Sequence, residues 1–477
     1  MTIMKLFRFL LLLIAAALLS ACSSNKPNTP IAVHSKNPHY FMFRGKPTVL
    51  IGSTEHYGAV MNLDFDYVPY LDELAVSSLN VTRTFSGIYV EPANAFGILK
   101  NTMAPAAGRY ICPWARSEND GYSNGGNKFD LTKWDDEYFS RLKDFITQAG
   151  IRDIVVELDL FSNFYDTLQW KLSPLNSVNN INGIGNIKDY KEILSLRHPE
   201  ILAEQEKMVK KIITELKGFD NLYYEICNEP YFGDTLALRE WEDHMTAIVA
   251  DAEKDFAHHH LISHNVQNYK QLVPEPRKYV SIYNFHYAGP PVTVPMNYHL
   301  NLPLGDNETG FRGIADSIYR KEAWEFMLAG GGLFNHLDYS FTTDHEDGSY
   351  IIQKTEPGGG GKVLRQQFKI LNGFMKSLNF INMKPIGDDV VKQDHAASIH
   401  GLVEDGKVWA LYLSVKDTVN LSSSLELNLP SGSYNLTWID TKTGSEMFES
   451  KNDHRGGWLQ IKSPEYRYDI ALRIKAK

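Results

Sequence analysis

The sequence predicts an α/β fold, a (β/α)8 TIM barrel followed by a small C-terminal antiparallel β-sandwich domain. Short β-rich runs alternate with amphipathic helical patterns, which is typical of βα units around a parallel sheet. Eight such runs precede residue 384, as a barrel requires. After Lys384 the helical period ends, and alternating runs separated by Asp-Gly, Ser-Gly and Thr-Gly predict antiparallel strands. A doubly wound open sheet is the alternative, but no Gly-rich phosphate loop follows the first strand.

Residues 1–22 are predicted to be a targeting segment rather than part of the fold. Lys5 and Arg8 precede an apolar stretch too short to span a bilayer, and small residues follow it. The run ending at Cys22 resembles a bacterial lipobox, in which cleavage leaves that cysteine as the lipidated first residue. A secretory signal with an incidental cysteine is the alternative. Two serines follow the cysteine, which resembles the outer-membrane sorting pattern of lipoproteins, and residues 23–37 are expected to form a linker.

The barrel is predicted over residues 38–384. The β-rich runs that predict its strands are Thr48–Ser53, Asn80–Phe85, Asp153–Leu158, Leu222–Cys227, Leu261–Asn265, Val280–Phe285, Leu302–Asp306 and Gly332–Leu337. Apolar residues at three- and four-residue spacing predict helices over Asp64–Ser77, Trp134–Ala149, Pro199–Leu216, Leu236–Phe256, Ser317–Ala329 and Lys362–Leu378.

The accessory domain is predicted over residues 385–477. Its expected strands are Val408–Leu413, Leu425–Leu429, Tyr434–Ile439 and Ile470–Ile474. Because all eight barrel strands precede it, the domain is expected to be separable, so that a chain ending near Asn382 keeps its activity. A binding role and a purely structural role both remain open.

Composition limits the class of protein. The 477 residues exceed one ordinary domain, and contents of 43% hydrophobic and 12% aromatic residues are those of a globular enzyme. The formal charge of −9, without a Lys/Arg block, argues against a nucleic-acid partner. With Cys22 assigned to lipidation, Cys112 and Cys227 remain, and whether they pair cannot be read from the sequence.

Two glutamates each end an apolar run. Glu229 follows residues 222–228 and precedes Pro230, and Glu308 precedes Gly310. A strand that stops at a carboxylate and then breaks places it on the loop-facing end, where parallel barrels keep their reactive groups. One such glutamate is more often a helix cap or an ion-pair partner. Two of them within an eightfold pattern predict paired-carboxylate chemistry, which can cleave a glycosidic bond.

At Asn228-Glu229-Pro230 and at Glu308 the chain resembles clan A glycoside hydrolases, either the cellulase-like family 5 or an unclassified bacterial relative. The resemblance covers about residues 38 to 380. It implies that Glu229, after the fourth strand, is the acid/base and that Glu308, after the seventh, is the nucleophile. The implied activity is that of a retaining β-glycosidase on a polysaccharide or oligosaccharide, without a cofactor.

Further residues match the clan pattern more loosely. Arg83 resembles the arginine that supports the nucleophile, and Asn228 resembles the residue that binds the sugar hydroxyl next to the reacting carbon. His56 follows the first strand and is expected at the rim. A positive charge near Glu308 would keep it ionised, and the charge on Glu308 is expected to raise the pKa of Glu229.

The chain also departs from family 5. His286 and Tyr287 are adjacent at strand six, where the family usually has His-x-Tyr, so Tyr283 and Tyr287 both remain candidates. The strand-three histidine is missing. No tryptophan follows strand eight, and the resemblance makes Asn335 and Asp338 candidate replacements in the substrate floor.

Two long connections, Ser86–Asp130 and Phe161–His198, follow strands on the reactive face, and long loops are usually functional. Their aromatic rings either form platforms for the apolar faces of sugars or pack the loops onto the barrel. These rings are Tyr89, Tyr110, Trp114, Tyr122, Phe164, Tyr165 and Trp170.

Two other classes of function are alternatives. A catalytically silent lipoprotein could bind glycans through the same cleft, but it has no need of two acids at reacting distance. A metal hydrolase would need ligand clusters, and neither His258–His260 nor Asp344–Asp347 has a second cluster at a helical or strand spacing. No metal is therefore expected.

Overall fold

The computed structural model describes residues 29–387, 389–393, 397–416 and 420–477. The predicted signal segment with Lys5, Arg8 and Cys22 lies outside the described residues, so the lipid anchor stays a prediction. No helix among the described residues is long and apolar enough to cross a membrane.

The strands occur in chain order as β1 (Ala32–Val33), β2 (Phe41–Phe43), β3 (Lys46–Thr48), β4 (Leu50–Thr54), β5 (Val81–Phe85), β6 (Trp114–Asp120), β7 (Asn127–Trp134), β8 (Val155–Ser162), β9 (Leu222–Asn228), β10 (Ile262–Asn268), β11 (Ile282–His286), β12 (Leu304–Thr309), β13 (Leu333–Leu337), β14 (Lys384–Pro385), β15 (Val391–Gln393), β16 (Ser398–Glu404), β17 (Val408–Ser414), β18 (Ser424–Ile439), β19 (Glu446–Lys462) and β20 (Asp469–Ala476). The α-helices are α1 (Tyr67–Val76), α2 (Asp136–Ile151), α3 (Thr167–Leu172), α4 (Pro199–Leu216), α5 (Thr235–Glu253), α6 (Thr293–Asn297), α7 (Asp316–Leu328) and α8 (Lys362–Lys376).

Eight parallel strands form the barrel and confirm the predicted fold class. Their hydrogen-bonded order is β4-β13-β12-β11-β10-β9-β8-β5. The seam between β4 and β5 is bridged where Asn80 donates its backbone N–H to the Ile51 carbonyl (3.1 Å) and its Oδ1 accepts from Ile51 N (2.9 Å). Each of the eight strands overlaps its predicted run, because strands covered on both faces read as continuous apolar segments.

The N-terminal end of the barrel is closed by the β1–β3 sheet. Ile31 is fully buried and shares a hydrophobic cluster with Phe41 and Phe43 and with residues at the starts of the barrel strands, including Leu50 and Val81. The chain is therefore packed from residue 31 onward, inside the span predicted as a linker over 23–37.

The two long connections carry structure of their own. The first contains the β6–β7 hairpin, and the second contains α3. Both lie after strands β5 and β8, at the end of the barrel where β9 and β12 also terminate.

The C-terminal strands form one antiparallel sheet in the order β14-β16-β17-β20-β18-β15, with β19 on β18. The strands confirm the predicted antiparallel β domain, and its division into two packed layers stays a prediction. The runs predicted over 425–429 and 434–439 belong to one strand, because Ser431 and Gly432 pair with β19 instead of turning. Strand β19 was missed because it is polar and mostly exposed, with no apolar alternation.

This sheet packs against the barrel helix α7. The Trp324 ring stacks on Tyr412 at 5.3 Å between centroids. Arg320 donates from Nη2 to Asp469 Oδ1 at 2.8 Å, and both side chains are buried. A core of the sheet's own, which includes Trp409, Leu427 and Leu472, lies on its other face.

Candidate active site

Glu229 and Glu308 meet at the C-terminal end of the barrel. Glu308 is the penultimate residue of strand β12, and Glu229 directly follows strand β9. The backbone of Glu229 has a left-handed φ of 51°, which is uncommon for a residue with a side chain and is typical of functional sites. One carboxylate oxygen of each glutamate lies within 4.8 Å of the other and of a ring nitrogen of His286.

Glu308 is held by a cation and a hydroxyl. Arg83 donates from Nη1 to Glu308 Oε2 (2.9 Å), and the Tyr287 hydroxyl donates to Oε1 (2.6 Å). Burial, and then the charges of Glu308 and Glu229, raise the pKa of Tyr287 far above its ordinary value, so this hydroxyl stays a donor. Of the two candidate tyrosines, Tyr287 reaches the nucleophile position, whereas the Tyr283 hydroxyl accepts from the backbone of Arg277.

Glu229 accepts three hydrogen bonds. Its Oε1 lies 3.0 Å from His286 Nδ1 and accepts from the Tyr231 hydroxyl (2.9 Å), while Oε2 accepts from the Tyr165 hydroxyl. Burial raises the pKa of Glu229. The hydrogen bond and charge of His286, together with the two tyrosine hydroxyls, lower this pKa by more than burial raises it, so the net shift is downward. The net direction is therefore opposite to the expected rise in the pKa of Glu229, because the donors around Glu229 outweigh burial.

His286 balances the two carboxylates. Burial lowers its pKa, but the charges of Glu308 and Glu229 outweigh burial, and the net shift is upward. Both shifts favour a proton on His286 over a proton on Glu229. His286 Nδ1 lies 3.0 Å from Glu229 Oε1, which allows proton exchange between them. The same nitrogen lies 3.8 Å from Glu308 Oε1, so it also faces the nucleophile.

Arg83 is surrounded by carboxylates beneath the cleft. It contacts Glu157 through Nε (2.8 Å), and it contacts both Asp159 and Glu225 through Nη2 (2.7 Å each). Burial raises the pKa of Glu157 to about 7 and that of Asp159 well above its ordinary value. Glu225 thus lies in a polar layer of the barrel interior. The alternation of Glu157 and Asp159 within an apolar strand was the signal for the rest of this layer.

Asn228 and His56 both line the cleft. Asn228 Oδ1 accepts from Arg83 Nη2 (2.9 Å), and its Nδ2 donates to the Tyr165 hydroxyl (3.0 Å). His56 Nε2 lies 3.0 Å from Glu91 Oε2, and the charge of Glu91 raises the pKa of His56 against the lowering effect of burial. Glu91 was not singled out from the sequence, because it lies in a loop without periodicity.

Asn335 and Asp338 do not reach the cleft, so their predicted role in the substrate floor is wrong. Asn335 points into the barrel, where its Nδ2 donates to Thr54 Oγ1 (2.9 Å). Asp338 accepts from Arg365 Nη1 (2.7 Å) and Ser53 Oγ (3.0 Å). Both residues are at most 2% exposed and serve the packing of strand β13.

The cleft has a volume of about 470 Å³ and aromatic walls. Of the predicted rings, Tyr89 and Tyr165 line it, whereas Tyr110, Trp114, Tyr122, Phe164 and Trp170 are buried as loop packing. The walls also contain rings that no pattern indicated, namely Phe96 from the first long connection and Phe232, Tyr269 and Phe311 from other loops.

Two groups among the described residues bring three possible metal ligands within 4.8 Å of one another. The first is Glu229, His286 and Glu308. The second is Glu157, Asp159 and Glu225, where the guanidinium of Arg83 already supplies the positive charge. Cys112 and Cys227 are both buried and free.

No protein-family model matches the chain, and no curated protein matches it. Solved structures do share its fold. A glycoside hydrolase aligns with a TM-score of 0.61 at 14% identity, over 94% of this chain and 97% of its own. A family 5 glycoside hydrolase from Bacteroides vulgatus aligns with a TM-score of 0.60 at 13% identity, over 94% and 93%. A second Bacteroides vulgatus structure aligns at 0.64 and 14%, over 96% and 84%. The chain therefore has the fold of these TIM-barrel proteins.

Proposed function

We propose that this protein is a retaining glycoside hydrolase that cleaves β-glycosidic bonds in a polysaccharide or oligosaccharide by double displacement. The observation that carries the proposal is the pair Glu229 and Glu308, whose nearest oxygens lie within 4.8 Å at the ends of two barrel strands. Retaining enzymes hold their carboxyl groups about 5–5.5 Å apart, whereas inverting enzymes need about 6.5–9.5 Å to admit a water.

In the first step, Glu308 attacks the anomeric carbon while Glu229 protonates the leaving oxygen. Arg83 and Tyr287 hold the attacking carboxylate in one orientation through its two oxygens. The proton comes from the His286–Glu229 pair. As the substrate excludes water and negative charge leaves Glu308, the imidazole is less well stabilised as a cation, and the proton moves to Glu229.

In the second step, Glu229 accepts a proton from a water that attacks the glycosyl-enzyme on the same face. Asn228 lies beside Glu229 and Arg83, where it can bind the hydroxyl next to the reacting carbon. A contact that tightens as charge develops lowers the barrier, because it is stronger in the transition state than in the ground state.

Aromatic walls support a carbohydrate substrate, since sugar rings present apolar C–H faces to aromatic rings. A silent glycan-binding protein would use the same walls. The arrangement of the two carboxylates favours an enzyme over a binding protein. Each carboxylate has its own set of hydrogen-bond donors, and an imidazole lies between them. A binding protein has no need of a buried acid and nucleophile at reacting distance.

The proposed location is the bacterial cell envelope, with the chain anchored by lipid at Cys22, most simply in the outer membrane. This part of the proposal rests on the sequence of residues 1–24.

The test is product stereochemistry with the purified chain lacking residues 1–22. A panel of aryl β-glycosides and β-linked oligosaccharides is followed by proton NMR during the first minutes of reaction. We expect the first hydrolysis product to be the β-anomer, and Glu308→Ala to release none. An initial α-anomer would exclude double displacement, and no turnover on a broad panel, together with glycan binding, would favour the silent protein.

A further inference from the structure

We propose that residues 91–103 close one end of the cleft, so that the enzyme removes sugars from the non-reducing end of a chain instead of cutting within it. The proposal rests on the proposed function, because the two glutamates define the direction of the substrate. The leaving group lies on the side of Glu229, and the sugar that is retained lies on the side of Glu308.

The two sides of the cleft have different walls. Phe232 and Tyr269 follow β9 and β10, and β9 is the strand that leads to Glu229, on the side of the leaving group. The opposite side lies between the loops that follow β4, β5 and β13. His56 and Glu91 line it, and the charge of Glu308 acts directly on His56. A chain that continued past the retained sugar would have to leave between these three loops.

Residues 91–103 fill that exit. The segment is tied at its base, where Glu91 N donates to the Met103 carbonyl (3.0 Å). It is tied to the loop after β4, where Asn62 Nδ2 donates to the Thr102 carbonyl (2.9 Å). It also crosses to the loop after β13, where Leu99 N donates to Glu356 Oε2 (3.2 Å). These bonds join the three loops into one wall.

Phe96 extends this wall over the cleft. Its ring lies 5.3 Å from Tyr165 and 6.5 Å from Phe311, which belong to loops on opposite sides of the barrel. The residue is 45% exposed and has a left-handed φ of 55°, a conformation that side-chain residues rarely adopt. An exposed aromatic ring in that conformation, in contact with both walls, is what a roof over one bound sugar requires.

The closed end is polar in a way that suits a terminal sugar. The Glu91 carboxylate accepts from His56, from the Tyr89 hydroxyl (3.1 Å) and from Asn101, and it still faces the cleft. A terminal sugar carries a free hydroxyl where an internal one carries a glycosidic oxygen, so only the terminal sugar can donate a hydrogen bond to the Glu91 carboxylate at this position.

The test uses β-linked hexasaccharides with a fluorescent label at the reducing end, taken from each series on which the enzyme shows turnover. We expect stepwise shortening, with the label first on the pentamer. A benzylidene acetal on the non-reducing terminal sugar should lower the rate at least a hundredfold. Early labelled dimers and trimers, or equal rates on the blocked hexamer, would overturn the inference and leave the proposed function intact. Absence of turnover on every glycoside would overturn the proposed function and this inference with it.

A variant isolates the roof. Phe96→Gly removes the ring and tolerates the left-handed backbone. We expect the ratio of rates on blocked and free hexamers to rise about tenfold. Phe448→Gly, at a phenylalanine in β19 that is 53% exposed, is the matched control and should leave the ratio unchanged. The ratio does not depend on the fraction of folded protein, so an unchanged ratio for Phe96→Gly would show that the ring does not close the cleft.

Discussion

Glu229 must donate a proton, yet its own pKa is lowered and that of His286 is raised. The residue that stores the proton therefore differs from the residue that delivers it. Activity should need one proton on the pair and should be lost as pH rises through the raised pKa of His286, above its ordinary value of 6.5.

This assignment predicts the effect of His286→Asn on the pH profile. Without the imidazole, the alkaline limb of kcat/KM reports Glu229 alone. Burial then raises the pKa of Glu229 without the opposing effect of His286, but the Tyr165 and Tyr231 hydroxyls still lower it. We expect the limb to move to lower pH, because a carboxyl group ordinarily titrates below a histidine. The profile is measured with an aryl glycoside between pH 4 and 9. An alkaline limb that stays in place would assign it to another group.

The two glutamates are predicted to respond differently to removal. Glu308→Ala should abolish turnover on every substrate, since no other group can form the covalent intermediate. Glu229→Ala should lower kcat by about 10²–10⁴ on substrates with poor leaving groups and much less on activated aryl glycosides, which need little protonation.

Azide provides the second measurement on the same pair. Added to Glu229→Ala, it should attack the trapped glycosyl-enzyme without base assistance and yield a β-glycosyl azide. Equal losses for the two variants on all leaving groups, with no azide product, would argue against the assigned roles.

The sequence indicated the catalytic glutamates and most of the residues that contact them, but not every residue that lines the cleft. Asn228 and His286 end their strands, Tyr287 follows β11, and Arg83 lies inside β5. Asn335, like Arg83, lies two residues before the end of its strand. Its short side chain donates to Thr54 inside the barrel, whereas the longer arginine reaches Glu308. The direction of a side chain depends on register, which a family pattern leaves open.

At the scale of elements, one guanidinium connects four barrel strands. Arg83 on β5 contacts Glu157 and Asp159 on β8, Glu225 on β9 and Glu308 on β12. A catalytic contact and a structural contact are therefore made by the same side chain.

Arg83→Met should consequently harm stability as well as activity. Removing the buried cation leaves uncompensated carboxylates, and we expect a loss of about 3–5 kcal/mol in the free energy of unfolding. Arg109→Met removes a half-exposed ion pair with Asp64 and should cost less than about 1 kcal/mol. Urea denaturation at pH 7 compares the two variants. At lower pH the carboxylates protonate and the cost of Arg83→Met should shrink.

Among the strands and helices, those that bury an apolar face could be predicted from the sequence. The barrel strands and the long helices were located from apolar periodicity, and α4 has the predicted bounds, Pro199–Leu216. Strand β19, and the joining of two predicted runs into β18, were not predicted. Their pairing is determined by a neighbouring strand rather than by a buried face. The length of the first long connection marked it as functional, but nothing in its sequence distinguished Phe96 and Glu91 from their neighbours.

For the whole molecule, the barrel and the C-terminal sheet share a buried contact, which bears on their separability. A chain ending near Asn382 would leave Arg320 without Asp469 and would expose Trp324. We therefore expect such a chain to be less stable than the full chain, contrary to the expectation of a freely separable domain.

Asp469→Asn tests this coupling without truncation. It should lower the free energy of unfolding by about 3–5 kcal/mol, because Arg320 stays buried without a charged partner. Asp405→Asn is the control, since its pair with Lys384 is exposed and should contribute at most about 1 kcal/mol. Denaturation followed by fluorescence gives both values, and kcat of the folded Asp469→Asn enzyme should be unchanged. If Asp469→Asn and Asp405→Asn had equal free energies of unfolding, the stability of the barrel would not depend on its contact with the C-terminal sheet.

The anchor is predicted from the sequence alone. Cys22→Ala should move the protein from washed membranes to the soluble fraction, because the lipid cannot be attached. Persistence in the membrane would show that another segment holds it.

The β1–β3 sheet has a consequence for the orientation of such an anchored enzyme. It pins residue 31 against the barrel floor, where Ile31 N donates to the Asp220 carbonyl (2.8 Å), at the opposite pole from Glu229 and Glu308. A lipid nine residues upstream would then hold the barrel floor toward the bilayer. The mouth of the cleft would point outward, where it meets free chain ends of glycans before the membrane surface can obstruct them.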